Sequence, residues 1–109
     1  MNPDCKFLEV TTTVPSGELA SSIAHALVER RLAACVQISG PVASVYRWEG
    51  AIETSTEYRC TVKTTAAAYR RLLATIVELH PYDIPEVLAV PIAQGNEKYL
   101  GWLAEQVRR

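Results

Sequence analysis

The chain has 109 residues, 49% of them hydrophobic, and a formal net charge of −1 with acids and bases interspersed. That suits a single domain spanning 1–109 with a real core, and it leaves no basic face for nucleic acid or an anionic membrane. No apolar run approaches the ~20 residues that cross a bilayer, and Cys5, Cys35 and Cys60 lack any C-x-x-C spacing, which argues against a secreted disulfide scaffold or a structural zinc site. Residues 1–6 lack the basic segment and apolar core of a secretory leader. The expected location is the cytoplasm.

The first predicted strand covers 5–13, where Phe7, Leu8 and Val10 precede three threonines. A turn at 14–17 follows, and Ser16 is placed to cap a helix whose apolar positions, Leu19, Ile23 and Leu27 with Ala20, Ala24 and Val28, recur at helical spacing to about residue 32. Residues 33–65 then read as one long β-hairpin. Val42, Val45, Tyr46, Trp48, Ile52, Tyr58, Cys60 and Val62 are strand formers, and the strong break is at Glu49-Gly50. Each arm has about fifteen residues, against about 5–6 in a usual strand. Gly40-Pro41 marks a bulge or bend in the first arm.

A second helix is expected over 66–79, with Tyr69, Leu72, Leu73, Ile76 and Leu79 on its apolar face and Thr65 as its cap. His80-Pro81 ends it, because a residue preceding proline disfavours helical dihedrals. Residues 87–92 are apolar enough for a central or covered strand. Asn96 caps a last helix carrying Tyr99, Leu100, Leu103 and Val107 on one stripe. The first six elements make a split β-α-β-β-α-β sandwich, a ferredoxin-like α+β fold with an extended hairpin and an extra C-terminal helix. Both long helices then lie on one sheet face. The other face and the hairpin demand cover that so small a domain lacks, and partner chains supply it. The pattern alone does not set two, three or four copies.

Several blocks resemble, in order and spacing, the CutA divalent-cation tolerance family: Thr12-Thr13-Val14-Pro15, the run from Ala26 to Val36, Tyr46-Arg47-Trp48-Glu49-Gly50, Lys63-Thr64, the run from Leu79 to Glu86, and Tyr99-Leu100-Gly101-Trp102-Leu103. The resemblance implies a cytoplasmic homotrimer of ferredoxin-like subunits, similar in architecture to the PII signalling proteins. It also implies a link to copper tolerance and divalent-metal binding, with no established reaction. Some relatives carry a cysteine before the T-x-P turn. Thr12 stands there in this chain, which weighs against thiolate-assisted copper binding.

His80 and Glu86 are the candidate metal ligands, since imidazole and carboxylate suit Cu(II) or Zn(II). The plainer reading is that the helix macrodipole favours a histidine at a helix C-terminus and that Glu86 pairs with Arg47. Tyr46, Trp48, Tyr82 and Trp102 are candidates for an interface or the edge of a cleft. Cys35 and Cys60 read as small buried hydrophobes, and the arginine pairs at 30–31 and 70–71 read as solvated faces. No G-x-S-x-G turn, glycine-rich phosphate loop or H-E-x-x-H occurs, so an enzyme is not expected. The functional expectation is metal tolerance through divalent-metal binding, with Cu(II) or another divalent cation as ligand and no obligatory cofactor. The alternative is a PII-like signalling or scaffold trimer with a small molecule or protein partner in its inter-subunit clefts.

Overall fold

In the computed structural model, which describes residues 5–108, the elements run β1 (Phe7–Val14), α1 (Gly17–Glu29), β2 (Cys35–Trp48), β3 (Ala51–Thr65), α2 (Tyr69–Leu79), β4 (Leu88–Pro91) and α3 (Glu97–Gln106). A short 3-10 turn, Ala66–Ala68, leads into α2, and Thr65 caps it as expected. The strands form one antiparallel sheet in the order β2-β3-β1-β4. This is the ferredoxin-like arrangement with α3 added at the end.

Alternation along the strands decides where the core sits. Leu8, Val10 and Val14 of β1 and Cys60 and Val62 of β3 point to the same side. There they pack against Ile23 and Leu27 of α1 and Leu72 and Ile76 of α2. Four threonines are also buried, Thr12, Thr13, Thr64 and Thr75. Thr64 donates to the Leu32 carbonyl at 2.7 Å and Thr75 to the Arg71 carbonyl at 2.9 Å. Thr12, 0% exposed, finds no partner for its hydroxyl among the described residues.

The opposite sheet face is polar at its middle, where Lys63 lies 3.8 Å from Glu9 and donates to Gln37 at 2.9 Å. One end of that face is covered by α3, whose Leu103, with Val107 just past the helix end, packs with Ala34, Ala68 and Phe7. Asn96 caps α3 by accepting from the Lys98 and Tyr99 amides. Two arginines hold its far end. Arg31 donates to the Glu105 carbonyl at 2.8 Å, and Arg71 donates to the Arg108 carbonyl. Cations at a helix C-terminus meet the negative end of its dipole. Arg31 and Arg71 stay exposed, as their spacing suggests, and also anchor the end of α3.

Helix α1 stops at Glu29, three residues before the periodicity ends. Arg31 adopts φ 59, the Arg31 amide bonds the Val28 carbonyl, and the Leu32 amide bonds the Leu27 carbonyl. This is a Schellman closure with arginine where glycine is usual, so no glycine announces it. The residues that close it, Leu32 and Ala33, enter the core.

The hairpin is as long as expected, with arms of 14 and 15 residues. At ~3.3 Å per residue such arms account for the 44 Å long axis of the molecule. Glu49 and Gly50 both have positive φ, 49° and 81°, which makes a two-residue type I′ turn. The register shifts between Ser39 and Val42, as expected at Gly40-Pro41. Gly40 is needed there: at φ 149, a Cβ would lie 2.8 Å from the Tyr58 ring. The outer half of the hairpin is bare, with Val45 68% and Ile52 69% exposed.

Of the two readings of residues 87–92, central or covered, the first is corrected. The 87–92 stretch is apolar but not central. Among the described residues, strand β4 is an edge strand paired with β1 alone, and Leu88 and Val90 stand exposed on it. Its hydrophobicity is one-sided, with Ala89 packed on the core and its neighbours facing outward.

Candidate functional site

Where the hairpin leaves the body of the sheet, the 80–86 loop runs beside it, and a cleft of about 530 Å3 opens between them. Ser44, Tyr46 and Trp48 line one wall. They are alternate residues of β2 and so share a side of the hairpin. Tyr82, Asp83, Ile84 and Glu86 line the other, and Thr13 and Glu57 form the floor.

His80 sets the position of that second wall. Proline at 81 forces it out of the helix, to φ −85 and ψ 135. Its ring is 7% exposed and fully used: Nε2–H donates to the Thr13 carbonyl at 2.8 Å, and Nδ1 accepts the Tyr82 amide at 3.2 Å. The carbonyl must accept, which assigns the neutral Nε2–H tautomer. The His80 and Tyr82 rings also pack, with centroids 4.7 Å apart. His80 thus pins the loop to the end of β1. Of the two residues expected to ligate metal, His80 faces inward with both nitrogens engaged, and Glu86 stands exposed at the cleft. No ion pair joins Glu86 to Arg47 among the described residues.

Sequence reasoning missed Glu57. It is 6% exposed and accepts a hydrogen bond from the Tyr82 hydroxyl at 3.0 Å. Burial, the hydrogen bond to Glu57, the Glu57 charge and then Tyr46 push the Tyr82 hydroxyl up to about 12, so Tyr82 remains a neutral donor. The signal was faint: a glutamate amid alternating strand residues reads as solvent-facing. Its partner lies 25 positions away.

Three of the four aromatic candidates converge here, Tyr46, Trp48 and Tyr82. Trp102 does not. It packs on Tyr99 of α3, with centroids 5.5 Å apart. The thiols lie elsewhere. Cys5, Cys35 and Cys60 are free, and burial pushes the Cys60 thiol up. Thr12 lies directly across from Cys60 in the β1–β3 register, on the helix side of the sheet. A cysteine at position 12 would be buried opposite Cys60, away from the cleft.

The charged groups that line the cleft among the described residues are Glu57, Asp83 and Glu86, with no lysine, arginine or histidine. Among the described residues, no three His, Cys, Asp or Glu side chains are grouped to hold a metal ion. The chain offers, among the described residues, an acidic, aromatic-walled cleft without a closed metal cage.

Comparison with known proteins agrees with this fold. The profile of a family described as CutA1 divalent ion tolerance protein matches residues 8–106. The divalent-cation tolerance protein CutA of Thermus thermophilus is 51% identical over 96 residues, 88% of this chain and 93% of that protein. The solved structure of a divalent cation tolerance protein from Thermus thermophilus superposes with a TM-score of 0.92 at 48% identity, covering 94% of this chain and 99% of that one. A structure described as the periplasmic divalent cation tolerance protein CutA of Archaeoglobus fulgidus gives 0.91 at 37% identity, covering 94% and 99%. The match spans only 62% of the length of the zebrafish CutA homolog, at 42% identity over 85% of this chain. Among the described residues, no helix is long and apolar enough to cross a membrane.

Proposed function

The chain belongs to the CutA1 divalent ion tolerance family, and from that membership we propose that it acts as a non-enzymatic homotrimer that takes divalent cations weakly at the 80–86 loop. The observation that carries this reading is the set of carboxylates, Asp83 and Glu86 with Glu57 behind them, around a cleft that no basic side chain lines among the described residues. The cation is cargo here, not a resident cofactor. Glu86 is ready to ligate. His80 joins it only when the Tyr82 amide lets go of Nδ1, which costs a hydrogen bond and makes the site weak. With no thiolate at hand, imidazole and carboxylate favour Cu(II) over Cu(I).

Assembly follows from what one chain leaves bare. The outer hairpin exposes Val45 and Ile52 and half-exposes Trp48, and the β4 edge exposes Leu88 and Val90. Two open edges, β2 and β4, lie at opposite ends of the sheet order. Edges of that kind join head to tail, and a closed ring of copies leaves none unpaired. The three free cysteines suit a cytoplasmic setting.

Titration of Cu(II) into wild type, Glu86→Gln and His80→Ala tests the cation reading. Stoichiometric binding that weakens at least tenfold in Glu86→Gln supports it. Equal binding by all three removes the loop as the site. The PII-like reading is favoured by one separate observation: a cleft of 530 Å3 with aromatic walls is far larger than an ion requires.

A further inference from the structure

We propose that the cleft between the hairpin and the 80–86 loop takes a small organic cation, an alkylammonium or quaternary ammonium group, held between Trp48, Tyr46 and Tyr82 and neutralised by Glu57. This rests on the reading of the cleft as a small-molecule site.

Three features point the same way. The volume lies in the range of small-ligand pockets, ~300–1,000 Å3, and the walls present three aromatic rings from two directions. Ring faces attract cations of low charge density, which shed water readily. Glu57 is a nearly buried carboxylate. Among the described residues, the Tyr82 hydroxyl is the one hydrogen bond it receives, and no cation stands within ion-pair distance. A buried carboxylate held in place without a counter-charge is costly alone and favourable once a cation meets it. Asp83 and Glu86 at the rim add negative charge to steer such a ligand inward. Arg59, the nearest arginine along β3, is exposed and does not line the cleft.

Other ligand classes fit less well. A nucleotide or other anion would meet three carboxylates and no basic lining group. A hard divalent ion such as Ca2+ or Mg2+ wants about six oxygens in a tight shell, and among the described residues no three ligating side chains are grouped for one inside the cleft. The weak Cu(II) site proposed at Glu86 is separate and belongs to the rim.

Choline and its neutral isostere 3,3-dimethylbutan-1-ol test the proposal. Both are titrated into the assembled wild type and Glu57→Gln, by calorimetry and by the indole resonance of Trp48. The expected result is one choline per protomer, with binding at least tenfold weaker for the isostere and at least tenfold weaker in Glu57→Gln. Equal binding of both compounds would overturn the cation assignment and leave the small-molecule cleft standing. Binding of neither would overturn both. Choline binding indifferent to Glu57→Gln would also overturn it. So would dissociation of the Glu57→Gln assembly, since a basic side chain of a neighbouring copy would then be the cation Glu57 meets.

Discussion

Replacing Tyr82 by phenylalanine removes one hydroxyl and leaves the ring against His80. The buried Glu57 carboxylate then loses the hydrogen bond it receives at 3.0 Å. Bonds to charged groups contribute ~1.5–3 kcal/mol. Tyr82 is 38% exposed, so water partly replaces the donor, and the lower end, ~1.5 kcal/mol, is expected. For a domain of about this size each kcal/mol shifts Tm by ~4–8 °C, which gives a drop of ~6–12 °C. The alkaline limb carries an independent signature. The Tyr82 hydroxyl is raised from 10.0 to about 12 in the folded protein. Between those values the unfolded chain has released this proton and the folded one retains it. Stability therefore falls as pH rises through that window, the contribution being whole below the lower value and gone above the upper. Tyr82→Phe lacks this step, so its stability declines less steeply there. Thermal melts by circular dichroism at fixed protomer concentration, from neutral to strongly alkaline pH, read both effects. An unchanged neutral Tm together with parallel alkaline limbs would refute the Glu57–Tyr82 coupling.

Thr12→Val should stabilise by ~1 kcal/mol, because it removes a buried hydroxyl without a partner. A higher urea midpoint at unchanged m-value checks it, and a lower midpoint would mean the hydroxyl is satisfied. Thr12→Cys should add no rapidly reacting thiol and no Cu(I) site to the folded protein, because position 12 is buried opposite Cys60; thiol titration before and after unfolding reads this directly. Trp48→Ala should cost ~3–5 kcal/mol and loosen the assembly if a neighbouring chain covers the half of Trp48 that one protomer leaves open. An intact assembly with an unchanged Tm would assign the indole to the cleft alone.

The elements and their order were legible because each carried its own punctuation. Ser16, Thr65 and Asn96 cap the helical segments they precede, proline at 81 ends α2, and Glu49-Gly50 turns the hairpin. What was not legible depended on distant partners. The stop of α1 lacks its usual glycine, since Arg31 takes the left-handed position and spends its side chain on Glu105. Strand β4 read as central or covered, and only the first is excluded, because apolar runs do not distinguish burial within a chain from an edge that another chain covers. The cleft was half visible. Its aromatic residues stood out, but Glu57 became meaningful only once folding brought Tyr82 to it. His80 was noticed as a helix-end imidazole, but its role in pinning the loop shows only once Thr13 and Tyr82 are seen on its two nitrogens.

Assembly is the claim from which the rest of the function follows, and sedimentation equilibrium tests it most directly. At micromolar concentration the protein should behave as one species of three times the 12.0 kDa protomer mass, with the mass unchanged on moderate dilution. A folded monomer, stable with Val45, Ile52, Leu88 and Val90 in water, would contradict the account.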